Sequence, residues 1–235
     1  MKIFLNDRFI SFSQDMPEVV SPLDMVIAYE SPGLLLKSYQ EFERAGEQNS
    51  LIIVGPSIDK AHDPALSAFF SFFKQVDAAG GLVKNEKGEY LFIHRLGYWD
   101  LPKGKIDGKD KKASPVTLSP VGKITSHSNT APSDEGRSYP SSAYHAAVRE
   151  VKEETGLKSV TVTGELPCTW HIYTRKEKRM LKKTYWFTME ADSHQSLRPQ
   201  SGEGIFLAKW IGPEGINQIL GHTYASIREL MLKVV

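Results

Sequence analysis

A run of charged residues past the middle of the chain is the first feature that suggests chemistry. It reads Arg149-Glu150-Val151-Lys152-Glu153-Glu154-Thr155-Gly156-Leu157. With the preceding residues from Ser141 onward, it predicts one helix. Ser141 or Ser142 can cap the first turn, and Gly156 can end the helix in a left-handed conformation. Residues four apart share a face, so three carboxylates and one guanidinium lie along a single strip.

Stability alone does not explain this strip. Like charges four residues apart cost roughly a few tenths of a kcal/mol on an exposed helix, and Arg149 relieves only part of that repulsion. Clustered carboxylate oxygens are the donors that magnesium and manganese prefer, which makes a divalent cation the chemical explanation. The alternative is a solvated charged face, as most charge runs are.

The flanking residues strengthen the chemical explanation. Upstream lies Leu101-Pro102-Lys103-Gly104-Lys105, and together the two segments resemble the Nudix hydrolase signature, Gly-x5-Glu-x7-Arg-Glu-U-x-Glu-Glu-x-Gly-U, in which U is aliphatic. Gly104 fits the first glycine. The second half is matched throughout, by Arg149, Glu150, Val151, Glu153, Glu154, Gly156 and Leu157. We therefore expect a Nudix hydrolase, and the start of the signature is similar to that of diadenosine polyphosphate hydrolases and MutT-type members.

The chain departs from the signature in two ways. Asp110 stands where the pattern has its first glutamate, and 38 residues separate Asp110 from Arg149 where the pattern has seven. The simplest alignment treats residues at about 111–141 as an insertion. This stretch is rich in Ser, Pro, Lys, Gly and Thr and lacks apolar periodicity, so it predicts a flexible loop. It could cover the substrate as a lid or be tolerated length, since lengthening a surface loop costs little.

Length, net charge and cysteine content limit the other classes of function that are possible. The chain has 235 residues, a formal net charge of +1 and one cysteine, Cys168. This balance gives no electrostatic case for duplex nucleic acid or a membrane surface as partner. A single cysteine excludes an internal disulfide and suits the cytoplasm, which is the expected compartment. Asp7 and Arg8 interrupt the first apolar run, so no signal peptide is expected.

Residues 1–76 predict a small α/β domain of unknown role. Strands are expected near Ile3–Leu5 and Phe9–Phe12 as a hairpin, and at 25–29 and 51–54 as a parallel pair. Helices are expected at 33–45 and from Pro64 to about Val76. The second helix carries a stripe of phenylalanines that is more often core than ligand site. This domain could carry an oligomer contact, such as that of a homodimer, or help to shape a substrate cleft.

Residues 77–235 predict the Nudix domain. Strands are expected at 81–84, 90–95, 160–165, 169–173, 180–190 and 206–210, and a helix at 224–234 with an apolar stripe. Together with the charged helix, they fit an α+β (α/β) fold, in which a mixed β-sheet is sandwiched between helices.

The resemblance implies hydrolysis of a nucleoside diphosphate linked to another group, with Mg2+ or Mn2+ as cofactor. Divalent ions would neutralise the polyphosphate and activate the attacking water. By the same resemblance, the metal ligands are Glu153, Glu154, Glu150 and the backbone carbonyl of Lys103. Arg149 would hold Glu150 in position. The base is either Glu150 or Glu203, an acidic residue in a loop after the signature.

Residues that could bind the substrate are less specific. Lys103, Lys105 and Lys183 are candidates for the phosphates, and Trp99 and Tyr173, with Tyr98 and Trp170, are candidates to stack on a base. An ordinary surface position is the more common role of such lysines, and core packing is the more common role of any one of these aromatic rings.

Two classes of function follow. The first is a metal-dependent pyrophosphohydrolase acting on dinucleoside polyphosphates or nucleoside triphosphates, or else on ADP-ribose or another sugar nucleotide. The second is a Nudix-fold nucleotide sensor that does not catalyse. The intact Arg149 and helix glutamates favour the enzyme. That hypothesis requires Glu150, Glu153 and Glu154 to gather beside an open space.

Overall fold

The computed structural model describes residues 1–55, 63–112 and 139–234. The chain divides into two compact units, Met1–Val76 with Thr169–Lys183, and Asp77–Cys168 with Thr184–Val235. The first boundary falls where residues 1–76 were expected to end. Thr169–Lys183 belongs to the first unit, although the sequence assigns it to the Nudix domain. The division into domains of separate function stays a prediction.

The first unit is a sheet with two helices. Its strands are β1 (Lys2–Leu5), β2 (Arg8–Ser13), β3 (Asp24–Ala28) and β4 (Ser50–Val54), joined by part of the long strand β9 described below. The sheet order is β9-β1-β2-β4-β3, with β1 and β2 antiparallel and β2, β4 and β3 parallel. The β1–β2 hairpin turns at Asn6, which adopts a positive φ of 56°. The expected hairpin and parallel pair are both present.

Helices α1 (Pro32–Ala45) and α2 (Pro64–Ser71) complete the core of the first unit. Phe69 is fully buried and meets Tyr39 edge to face at 5.4 Å, so the phenylalanine stripe is core, as expected. The expectation that α2 extends to Val76 is wrong. The helix ends at Ser71 because the chain enters the long strand β5 at Lys74.

The second unit is built on a mixed sheet. Its strands, in sequence order, are β5 (Lys74–Lys84), β6 (Tyr90–Arg95), β7 (Tyr98–Asp100), β8 (Lys103–Lys105), β9 (Thr161–Arg175), β10 (Lys178–Glu190) and β11 (Ile205–Ile211). The sheet order is β11-β6-β5-β10-β9, with β7 paired to β6 and β8 paired to β5. Both β9 and β10 have residues in each of the two compact units.

Helices cover both faces of this sheet. Helix α4 (Ser141–Thr155) packs on one face, where its Ala143, Ala147 and Val151 meet Leu91 and Ile93 of β6. Helices α5 (Pro213–Leu220) and α6 (Ala225–Met231) pack on the other, against residues that include Phe92. Successive strand residues point to opposite faces, so consecutive β6 residues are buried on both sides. The expected sheet sandwiched between helices is thus confirmed.

Several local expectations are wrong. The strands expected at 160–165 and 169–173 form one continuous strand, β9. Helix α5 was not anticipated, although Pro213 at its start and the apolar Ile216, Ile219 and Leu220 are helix signals. Neither Ser141 nor Ser142 caps α4, because Pro140 holds the cap position without a side-chain bond. Gly156 ends α4 at a φ of 80°, as expected.

The predicted insertion lies largely outside the described residues. At its ends, Lys111 closes the short helix α3 (Gly108–Lys111), and Tyr139 is buried edge to face on Phe187. No helix in the described ranges is both long and apolar enough to span a membrane.

The approach of β8 to β5 sets the position of the Lys103–Gly104 segment. This close approach of the two strands depends on Gly80. A Cβ added there would lie 2.4 Å from the Pro102 carbonyl oxygen and 2.5 Å from the Lys103 Cβ. The first of these contacts is to backbone, which a rotamer change cannot relieve.

We expect Gly80→Ala to lower the free energy of unfolding by about 2 kcal/mol, because the added methyl forces the two strands apart. Urea unfolding of the full chain measures this. Gly108→Ala is the matched control, since no atom lies within 4 Å of its added Cβ. Equal stability of the Gly80→Ala variant and the parent would show that the contact relaxes at no cost.

Candidate active site

Arg149 is the centre of the candidate site. Its guanidinium donates to both carboxylate oxygens of Asp110 at 3.1 and 2.8 Å, to Glu150 at 2.7 Å and to Glu153 at 2.9 Å. A fifth hydrogen bond, of 3.0 Å, reaches the Lys105 carbonyl oxygen. These bonds match the five N–H donors of an arginine side chain. Arg149 therefore joins helix α4 to helix α3 and to the end of β8, and its pKa is raised, chiefly by the hydrogen bond with Asp110.

Asp110 takes part in the site despite being shorter than the glutamate of the family pattern. The Asp107 side chain accepts the N–H groups of Lys109 and Asp110, and Asp110 in return accepts the N–H of Asp107. This reciprocal cap starts α3 and aims the Asp110 carboxylate at Arg149. Burial raises the pKa of Asp110, but the bonds from Arg149 and Asp107 outweigh burial and hold that pKa below its usual range.

Glu150 is buried against the backbone of Gly104. A Cβ added at Gly104 would lie 2.1 Å from the Glu150 carboxylate carbon, so any larger residue would force the Glu150 carboxylate out of its present position. Burial raises the pKa of Glu150, and the hydrogen bond from Arg149 opposes that rise. The first glycine of the signature is thus explained by the carboxylate that it accommodates.

Glu154 is the most buried carboxylate of the site, with an exposed fraction of 0%. It accepts the backbone N–H of Lys103 at 2.8 Å and lies 3.5 Å from the Arg95 guanidinium. Burial raises the pKa of Glu154 to about 7, although the positive charge of Lys103 and the Lys103 N–H bond favour the ionised form. Desolvation exceeds the attraction at this position.

The two remaining carboxylates of the predicted site are exposed to solvent. Glu153 has a side-chain exposure of 49% and pairs with Arg149. Glu203 has a side-chain exposure of 46% and lies 3.4 Å from Arg95. Arg95 therefore stands between Glu154 and Glu203.

The helix carboxylates are not gathered into one cluster. Arg149 and Arg95 neutralise them separately, and Glu150 and Glu154 are buried beside these cations. The requirement for an open space beside gathered carboxylates is not met by these side-chain positions. Within the described ranges, three potential ligands lie within 4.8 Å of one another only at the exposed Glu86, Asp192 and His194.

A cavity of about 630 Å³ adjoins that exposed cluster rather than the predicted glutamates. It is lined by Lys84, Asn85, Glu86, Ser159, Val160, Thr161, Glu190, Ala191, Asp192 and His194. The Glu86 carboxylate is held by the backbone N–H and the hydroxyl of Ser193. None of these residues was predicted from the sequence.

The predicted phosphate-binding residues of this unit differ in their surroundings. The Lys103 ammonium is paired with Asp100, and its side chain is largely buried. Lys105 is exposed to solvent. Trp99 packs edge to face on His94 at 5.1 Å and borders the core beneath α5 and α6, so its contacts are those of a core residue.

Lys183 and Tyr173 belong to the first unit. The Lys183 ammonium lies 5.3 Å from the Trp170 ring, and Tyr173 lies 5.5 Å from the His171 ring. Trp170 in turn packs against Phe70 at 5.0 Å. The role of Lys183 and Tyr173 in substrate binding stays a prediction.

Sequence reasoning missed two residues of the site. Arg95 is the last residue of the apolar strand β6, and Asp100 precedes the Leu101–Gly104 segment. Neither stands at a position that the signature defines. Their side chains reach Glu154 and Lys103 only through the pairing of β6 with β7.

A comparison with protein-family models finds a match in the second half of the chain. Residues 135–231 match the family model described as NUDIX domain. The comparison with curated proteins found no match for this chain. The match over residues 135–231 confirms the predicted Nudix recognition.

The fold is similar to that of several solved structures. These include the Ap4A hydrolase binary complex of C. elegans, with TM-score 0.41 and 20% identity, covering 67% of this chain and 93% of that one. The MutT protein of Methanosarcina mazei Go1 gives TM-score 0.38 and 19% identity, over 68% and 93%. The NUDIX domain of Shewanella oneidensis NrtR, complexed with ADP ribose, gives 0.42 and 15%, over 74% and 96%. These likenesses are too distant to transfer a residue's role.

We expect Asp110→Asn to lower the free energy of unfolding by about 2 kcal/mol, because it leaves Arg149 beside a neutral amide in a buried pair. Urea unfolding measures the change. Glu229→Gln is the control, since its partner Lys233 is more than half exposed, and we expect a change below about 0.5 kcal/mol. Equal effects of the two substitutions would contradict the central place of the Asp110–Arg149 pair.

Proposed function

We propose that the protein is a divalent-metal-dependent pyrophosphohydrolase that cleaves a nucleoside diphosphate linked to another group. Dinucleoside polyphosphates and nucleoside triphosphates are the leading substrate classes. The observation that carries the proposal is the meeting of two sequence segments. The Glu154 carboxylate accepts the Lys103 N–H, and the Glu150 carboxylate lies against Gly104. The predicted compartment is the cytoplasm.

The donors are of the type that suits a hard divalent cation, and binding one would require Glu150, Glu153 and Glu154 to turn toward one another. Glu150, Glu153 and Glu154 supply carboxylate oxygens, and the Lys103 carbonyl is a further oxygen donor on the adjacent segment. The absence of a side chain at Gly104 leaves the space that Glu150 occupies. When bound, Mg2+ or Mn2+ would neutralise phosphate charge and lower the pKa of a water molecule.

The chain's own residues would orient the carboxylates and supply the base. Arg149 fixes Glu150 through a 2.7 Å hydrogen bond, which limits the positions open to that carboxylate. The base that takes the proton of water is Glu150 or Glu203. Glu150 and Glu203 interact electrostatically. Burial is the main cause of the raised pKa of Glu150, and the negative charges of Glu153 and Glu203 raise it further. Comparing turnover of the Glu150→Gln and Glu203→Gln variants decides between them.

Arg95 and Lys105 are the cations best placed to contact the phosphate chain. The Arg95 side chain is partly exposed between two carboxylates, and Lys105 faces solvent. Lys103 is a weaker candidate as a side chain, because it is more deeply buried than Arg95, with a side-chain exposure of 13% against 29%.

We expect Glu154→Gln to reduce turnover by at least about a hundredfold, because it removes a proposed metal-binding charge while keeping the shape of the side chain. Turnover is measured as phosphate or nucleotide release across a panel of nucleotides with Mg2+ or Mn2+. Thermal unfolding of the same variant checks that the fold is retained.

Asp192→Asn is the matched control, because it removes one carboxylate of the exposed cluster around Glu86. We expect it to leave turnover within about twofold of the parent, a change of less than roughly 0.5 kcal/mol in barrier. Full activity of Glu154→Gln with loss of activity in Asp192→Asn would place the metal at the other cluster. Nucleotide binding without any product would favour a sensor.

Hydrolysis in isotopically labelled water identifies the bond that breaks. The phosphorus that is attacked retains the label, so mass spectrometry of the products separates attack at one end of the polyphosphate from attack at its centre.

A further inference from the structure

Two tyrosines form an exposed stack in the second unit. The rings of Tyr98 and Tyr224 lie 4.9 Å apart between centroids at an interplanar angle of 26°. Their exposed fractions are 48% and 37%. The pair therefore presents aromatic surface to solvent, whereas other aromatic pairs, such as Tyr39–Phe69 and Tyr139–Phe187, involve fully or largely buried rings.

The register of the β6–β7 hairpin places this stack beside the candidate site. Arg95 and Tyr98 are directly opposite partners in the antiparallel pair. Side chains of opposite residues stand on the same face of the sheet, with their Cβ atoms about 5 Å apart. Arg95 contacts Glu154 at 3.5 Å and Glu203 at 3.4 Å. The stack is thus separated from the carboxylates by one cationic side chain.

The segment that carries Tyr224 is fixed to the same strand. The Trp99 N–H donates to the His222 carbonyl oxygen at 2.9 Å, and the Thr223 hydroxyl donates to the Trp99 carbonyl oxygen at 2.6 Å. The Tyr224 hydroxyl also lies within the field of the site. Its pKa is raised by burial first and then by the negative charge of Asp100, while Lys103 and Arg95 act in the opposite direction.

Near the stack are an exposed apolar residue, Leu96, and the Arg95 guanidinium, which pairs with Glu154 and Glu203. Leu96, at the tip of the same hairpin, is 68% exposed, and its Cδ2 is the nearest atom to a Cβ built on Gly204. A nucleotide likewise combines two kinds of group, because a flat apolar base is joined to a charged phosphate chain. Stacking of bases on aromatic side chains is favourable for every base and needs no hydrogen-bond code.

We propose that the Tyr98–Tyr224 stack is the surface that receives the nucleobase of the substrate, with the phosphates directed toward Arg95 and the carboxylates of α4. This assignment rests on the proposed function, since it concerns the same site. It makes Tyr98 and Tyr224 specificity-determining residues that act by stacking. The alternative is that the pair only stabilises the start of α6.

Binding of adenosine monophosphate and of inorganic tripolyphosphate, each measured by calorimetric titration with Mg2+, tests the proposal. In Tyr98→Leu we expect the affinity for adenosine monophosphate to fall about tenfold, because the aromatic face is lost and the apolar bulk is kept. Tyr98→Phe keeps the ring and should bind as the parent does. Affinity for tripolyphosphate should be unchanged in both variants. Tyr224→Leu, which removes the other ring, should show the same selective loss.

Three results would overturn the assignment. They are parental affinity of Tyr98→Leu for the nucleotide, an equal loss for both ligands, and failure of the parent protein to bind adenosine monophosphate. A selective loss in Tyr98→Leu and Tyr224→Leu, with melting temperatures near that of the parent, excludes a purely structural role. Selective nucleotide binding without hydrolysis of any nucleotide would keep the stacking surface and refute the proposed function.

Discussion

One guanidinium holds the candidate site together. Arg149 uses all five of its donors on groups from three parts of the chain, namely Asp110, the Lys105 carbonyl oxygen and two glutamates of its own helix. Without Arg149, the carboxylates of Asp110, Glu150 and Glu153 would lose the cation that they share. With it, the carboxylates become the means by which α3 and β8 are held to α4. The same interaction makes the interrupted signature continuous in space, because Asp110 and Arg149 meet although 38 residues separate them.

The second constraint is the close approach of backbone and carboxylate. The site places charged groups where water is largely excluded, which is unfavourable unless hydrogen bonds replace the lost hydration. Glu154 obtains one from the Lys103 N–H, and Glu150 obtains one from Arg149. Gly104 permits the approach of Glu150, and Gly80 permits the approach of the segment that carries Gly104. These glycines therefore serve the site through steric access.

The charge balance of the site bears on metal binding. A divalent cation at the proposed site would compete with Arg95 and Arg149 for the same carboxylate oxygens. The exposed group of Glu86, Asp192 and His194 has its donor atoms closer together, but it lies on loops and beside a different cavity. The signature residues and the family match favour the glutamates of α4 as the metal site. Side-chain proximity alone favours the cluster of Glu86, Asp192 and His194.

The sequence determined the family, the helix that carries the carboxylates and the layered α+β fold. Each of these follows from the spacing of residues close together in the chain. The Arg-Glu-x2-Glu-Glu pattern ended by glycine predicts the helix, and apolar runs predict the strands. The sequence also indicated that the phenylalanines of α2 are core. It did not determine where α2 gives way to β5, that β9 is one strand, or that Thr169–Lys183 joins the first unit. Those outcomes depend on pairing between strands distant in the chain, which can override local preference.

For the site, tertiary structure decided which residues meet. Spacing along the chain could place Arg149, Glu150 and Glu154 on one helix, but it could not show that Arg95 and Asp100 complete their surroundings. It could not show that the Asp110 side chain is long enough to reach Arg149, because that distance depends on the position of α3. The Tyr98–Tyr224 stack, from residues far apart in sequence, likewise exists only once β7 and the segment before α6 are side by side. Local sequence specifies the type and face of each side chain, whereas the packing of the chain sets the distances between them.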